Sequence, residues 1–182
     1  MQRRDFLRTA GFVAGSGALA GCPGRNGETG LLVTRVRDAS SAVADFESCV
    51  VTVSELRVLP AAAATETEEH EGAELLFSVE DVSVDLVEVA DDGTAFAFEQ
   101  ELMTGQYVYL KLVVAGIDAA LADGREVVVS TPDDGPLTFG APFEVRTGDA
   151  TIVTAGLRPA QRGAATSYVL QPVPSQTTVT YE

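Results

Sequence analysis

The sequence predicts an all-β fold: an antiparallel Greek-key β-sandwich of immunoglobulin or transthyretin type, with little or no helix beyond residue 21. Three observations carry this. Apolar residues recur with period two in many short runs, the spacing that sends alternate side chains to opposite faces of a strand. Asp-Gly pairs separate the runs at Asp92-Gly93, Asp123-Gly124 and Asp134-Gly135, where Asp caps its own backbone and Gly accepts positive φ. No apolar stripe of helical period competes with the alternation.

In chain order, residues 1–21 read as an export signal. Arg3, Arg4 and Arg8 precede an uncharged run from Ala10 to Gly21, which at twelve residues falls short of the roughly twenty a membrane span needs. Arg3-Arg4-Asp5-Phe6-Leu7 resembles the twin-arginine signal, an address read by a receptor. Leu19-Ala20-Gly21-Cys22 resembles a lipobox, in which cleavage precedes the cysteine and the thiol carries a lipid. The implied partner is the membrane, reached through a lipid on Cys22. The implied location is extracytoplasmic, on the outer face of the cell membrane. Buried methylenes contribute roughly 0.8 kcal/mol each, so a double-chain lipid holds firmly where a single chain binds reversibly.

Residues 22–30, Gly-rich and polar, form a flexible tether. One domain follows over 31–175, long enough for a single core. Its strands read at Leu31 to Val36, at Cys49 to Val58, at Leu75 to Val79, at Val82 to Leu86 and at Thr94 to Phe98. Further strands read at Gln106 to Ala115, Glu126 to Ser130, Leu137 to Phe139, Ala150 to Leu157 and Ser167 to Val173. The apolar parity slips by one between Val53 and Leu56, which predicts a bulge near Ser54-Glu55. In the longest run, Val108, Leu110, Leu112 and Val114 point to the core while Tyr107, Tyr109 and Lys111 face water. Ile117 to Ala122 is compatible with one helical turn. Residues 60–73 are low in complexity and acidic, and they read as a mobile loop. Gly105 two residues before Tyr107 fits a tyrosine corner, the phenol reaching back to the backbone upstream. Residues 176–182 form a tail or an edge strand.

Twelve basic residues against 27 acidic ones give a formal charge of −15, and only one of the basic residues, Lys111, is a lysine. Removal of residues 1–21 takes away Arg3, Arg4, Arg8 and Asp5, which leaves 9 basic and 26 acidic residues and a charge of −17. Such a surface repels phosphate backbones, so nucleic acid is excluded as a partner. Acid surplus with scarce lysine resembles the proteins of salt-loving archaea, where molar salt shortens the Debye length to about 3 Å and screens the repulsion. With Cys22 lipidated, Cys49 has no disulfide partner and reads as a small buried hydrophobe.

Four stretches in order resemble a known family, the domain of unknown function 4382 of secreted and lipid-anchored proteins. They are Val36 to Ala39; Val50 to Pro60; Val82 to Val89 followed by Glu101 to Val114; and Phe143 to Leu157 closed by Tyr168 to Val173. The resemblance spans roughly residues 30 to 175. It implies a β-sandwich displayed outside the cell, and it transfers no catalytic residue. Two departures from the family pattern stand out: Leu75-Leu76-Phe77 where an aromatic often leads, and a tail running past the usual end.

The sequence offers little for catalysis. His70 is the only histidine and lies in the acidic loop, against a Ser-His-Asp triad, a Cys-His pair on Cys49 or a multi-histidine zinc site. Calcium takes six to eight oxygens from carboxylates and loop carbonyls, and Asp91, Asp92, Asp133 and Asp134 are its candidates if their loops share one end of the fold. No other cofactor is implied. The expectation is therefore a lipid-anchored binding or structural domain without catalytic activity, facing an envelope protein or carbohydrate. The alternatives are a glycan-processing enzyme that uses a carboxylate pair and a calcium-binding adhesion module.

Overall fold

The computed structural model describes residues 27–64, 73–89, 93–163 and 167–182. Eleven strands make up most of them: β1 (Thr29–Asp38), β2 (Phe46–Pro60), β3 (Leu75–Asp85), β4 (Ala95–Met103), β5 (Gly105–Leu121), β6 (Glu126–Ser130), β7 (Leu137–Phe139), β8 (Phe143–Val145), β9 (Ala150–Gln161), β10 (Ser167–Pro172) and β11 (Thr178–Tyr181). A four-residue helix, α1 (Ala61–Ala64), follows β2 directly. The expected acidic loop thus opens on a helical turn, and its residues 65–72 lie outside the described residues.

All eleven strands belong to one sheet in the order β3-β2-β5-β6-β10-β9-β1-β4, with β7 and β8 added along β5 and β11 along β9. The end strands β3 and β4 approach each other, so the sheet is nearly closed and barrel-like. Two neighbouring pairs are parallel, β1 with β9 and β6 with β10. In place of the expected Greek-key sandwich there is a single barrel-like sheet, antiparallel except at these two pairs, while the all-β class stands. Period-two alternation reports that one face of a strand is buried; it is the same for either strand direction and for open and closed sheets. The closure depends on β6, which pairs β5 through Ala119 and Ala120 and pairs β10 through its other edge.

The core gathers the inward faces of these strands, with Leu32, Leu56, Leu110, Leu112, Leu137 and Leu170 fully buried. Bulges decide which side chains reach it. The pairing of β2 with β3 and with β5 slips between Val53 and Glu55, where the parity break required it. On the partner strand Val82 faces Val53 and Ser78 faces Glu55, so the extra residues between them join two expected strands into one continuous β3. A second slip, between Leu59 and Pro60, sets Tyr107 opposite Pro60 and Tyr109 opposite Leu59. Tyr107 is thereby turned into the core at 3% exposure, a correction to its expected place on the wet face. Ile117 to Leu121 is strand, paired with β2 from Val51 to Phe46, which corrects the expected helical turn.

The strands define two ends of the molecule. The described chain enters beside Met103 and Thr104, where β1 and β9 start and β2 and β4 finish; Thr104 N donates to Glu28 O over 2.8 Å. The other end collects Asp38, Phe46, Leu121 and Gln161. Eleven strand steps along β9 place the ends roughly 35 Å apart at about 3.3 Å per residue.

Candidate functional site

The end far from chain entry carries a cleft between two connections. β9 runs out at Gln161 and the chain turns back into β10, with Arg162 N donating to Ser167 O over 2.8 Å and Gly163 at φ 68°. Beside this turn the connection from β6 to β7 makes one 3-10 turn, Pro132–Asp134. Asp133 and Asp134 there take φ 51° and 53°, in the left-handed region, which Asp tolerates better than most side chains because it bonds its local backbone. Between the two connections lies a cleft of about 290 Å³ lined by Pro132, Asp133, Ala160, Gln161, Arg162, Val169 and Gln171. Gln171 is fixed from behind by Arg158, whose Nη2 donates to its Oε1 over 3.0 Å. Two amides, one guanidinium and one carboxylate can hydrogen-bond a polar ligand here.

Of the calcium candidates, Asp133 and Asp134 sit on the cleft's 3-10 turn, Asp133 in its wall, while Asp91 and Asp92 lie outside the described residues. Among the described residues no three of His, Cys, Asp and Glu converge on one point. The export and lipid-attachment residues Arg3, Arg4, Phe6, Leu7 and Cys22, and the loop histidine His70, also lie outside the described residues. Gly105 and Tyr107 belong to the entry end. Gly105 has φ 149°, and the Tyr107 hydroxyl donates to the Met103 carbonyl over 2.8 Å, while its ring stacks on Phe143 at 5.1 Å.

Among the described residues one charge is fully buried, and sequence reasoning missed it. Glu74, just before β3, has a side chain only 1% exposed; its Oε1 accepts from Lys111 Nζ over 2.6 Å and from the Tyr109 hydroxyl, and Arg57 Nη1 lies 3.9 Å from Oε2. Burial pushes this carboxyl up, but the hydrogen bonds from Lys111 and Tyr109 and the two nearby cations outweigh it and hold Glu74 below the usual carboxylate range. Cys49 is fully buried, and its thiol is pushed up to about 12 by burial first and by Asp85 and Asp38 second. A thiol so protonated at neutral pH is no nucleophile.

A family model described as Domain of unknown function (DUF4382) matches residues 29–172, from the start of β1 to the end of β10. No curated protein matches the chain.

Proposed function

The chain belongs to the DUF4382 family of domains of unknown function, and from that premise we propose a lipid-anchored, extracytoplasmic binding domain without catalytic activity. The observation that carries this reading is the separation of the ends. Four residues lie between Gly27, where the described chain enters, and the lipobox cysteine Cys22, so an anchor there holds the entry end near the membrane. The polar cleft then lies roughly 35 Å away along β9 and faces outward. The twin-arginine pattern at Arg3 and Arg4 supports export in the folded state.

The groups that chemistry would draw on support the non-catalytic part. Glu74 is occupied by Lys111, Tyr109 and Arg57, Cys49 is sealed and protonated, and the cleft wall offers one acid, Asp133, where glycoside hydrolysis needs a facing pair. The acid surplus fits a protein kept solvated in concentrated salt, the halophilic part of the proposal. Fractionation tests the anchor: the wild-type protein stays with the membrane after a high-salt wash, and Cys22→Ser moves to the soluble extracytoplasmic fraction. Full membrane retention of Cys22→Ser would remove the lipid tether from the account.

A further inference from the structure

We propose that the entry end of the molecule seats directly on a lipid bilayer, with Leu75, Leu76, Met103 and Tyr181 entering the headgroup layer. This rests on the reading of the chain as anchored at Cys22 and adds a second, non-covalent contact with the same membrane. The distribution of exposed apolar side chains carries it. Among the described residues the exposed large apolar side chains are Leu75, Leu76, Met103, Val128 and Tyr181. Leu75 stands opposite Val58, Met103 opposite Thr29 and Tyr181 opposite Thr151, which puts four of the five where β2 and β4 finish and β1 and β9 start. Val128 stands apart, opposite Ser167 at the far end. Apolar side chains scattered singly over a surface are ordinary, whereas a group gathered at one end marks a contact surface.

A groove of about 440 Å³ opens among these residues, lined by Pro60, Ala61, Ala62, Leu75, Met103 and Tyr107 and completed by the turn from Thr104 to Gln106. Among the described residues its wall holds no charged side chain. Gln106 faces Glu144 on β8, and Glu144 N donates to the Tyr181 hydroxyl over 3.4 Å, so the tyrosine borders the same end. Tyrosine suits a membrane interface, its ring apolar and its hydroxyl wet. The chain that precedes the groove says what covers it. A side chain at Gly27 would collide with the Met103 methyl group, so the chain passes against the groove as it enters. Cys22 is five residue steps further back, which bounds its distance from Gly27 at about 17 Å. A small folded domain is about 30 Å across, too thick to lie between the patch and a bilayer that holds Cys22. The headgroups themselves fill that space. Charge does not drive the contact, because Glu28 borders the entry and Glu66, Glu68, Glu69 and Glu71 lie in the connection between α1 and β3. The surface that fits is therefore zwitterionic, and the contact is apolar and persists in salt.

The test reconstitutes the lipidated protein, extracted from the cells that make it, into phosphatidylcholine vesicles. A fluorophore is placed through Met103→Cys, Leu76→Cys or Val128→Cys; Cys49 is buried and stays unlabelled. Lipids with a nitroxide near the headgroup are expected to quench the Met103→Cys and Leu76→Cys labels at least about twofold and to leave the Val128→Cys label unchanged. The quenching is expected to be as strong in 1 M as in 0.1 M KCl. Adding Leu75→Ser with Met103→Ser to the Leu76→Cys protein should remove most of it while the protein still floats with the vesicles. Two label sites and unchanged unfolding midpoints guard against a misfolded variant. Equal quenching at all three sites, quenching that 1 M KCl removes, or quenching that the two serines leave intact overturns the proposal, the last by showing that the tether alone brings the label near. Absent quenching with cross-linking between two Met103→Cys chains would reassign the patch to a second copy. Wild-type protein that does not float with the vesicles removes the anchor and the seat together, whereas absent quenching in protein that does float overturns the seat alone, so the two failures are read separately.

Discussion

Glu74 meets donors from β2 and β5 at a point where its carboxylate is almost entirely covered. Desolvation alone would raise its pKa; Lys111 and Tyr109, with the charge of Arg57 behind them, reverse the sign. A carboxyl depressed in the folded state stabilises the fold above its unfolded value of about 4.3, and that contribution is lost as pH falls through the folded value. Glu74→Ala leaves Lys111 and Tyr109 facing a gap, and with Lys111 20% exposed the expected loss is about 2–3 kcal/mol at pH 7. Denaturant titrations of both proteins from pH 7 to pH 3 should show the difference shrinking in acid, and a constant difference would mean that Glu74 acts by packing alone. Asp38 runs the other way: burial raises its pKa against the hydrogen bonds from the Ser40 and Ala39 backbone, so acid relieves a cost there. Sequence placed Lys111 and Tyr109 outside the core correctly. It gave no sign of Glu74 as their partner, because 37 residues separate Glu74 from Lys111 and nothing local marks a long-range pair.

At the scale of elements, β11 shows how a short strand is held. It pairs β9 from Thr151 to Thr154, and the Pro174–Gln176 turn before it presses on the outer face of β9 at Gly156. A Cβ at position 156 would meet the Gln176 carbonyl oxygen at 2.9 Å and its Cβ at 2.8 Å, so the turn must move for any side chain to fit. Gly156→Val should therefore cost about 1–3 kcal/mol and remove hydrogen-exchange protection from Val179 and Thr180 before the rest of β9 opens. Uniform protection in that variant would show that the turn yields freely. The tail was visible in the sequence as an alternating segment, and most other strands were placed by the same alternation to within a few residues. Exceptions have physical causes. Tyr107 changed face because a slip against Pro60, set by the partner strand, reversed the parity. Pairing itself was illegible, since β1 with β9 and β6 with β10 join segments far apart in sequence.

For the whole molecule, the near-closed sheet fixes an axis with chain entry at one end and the cleft at the other. The proposed function is built on that axis: anchor, tether, barrel-like domain, then the cleft turned outward. The cleft was legible only through Asp133 and Asp134. Its remaining wall depends on β6 and β10 lying side by side, which no local pattern encodes. The axis means something for function only if the chain is anchored at Cys22. The most direct check is the intact mass of the protein extracted from the envelope of cells that make it. The account predicts a mature chain beginning at Cys22 and carrying the added mass of a lipid, which base or thioether cleavage removes. A mature chain that retains residues 1–21, or one that begins at an unmodified Cys22, would contradict it.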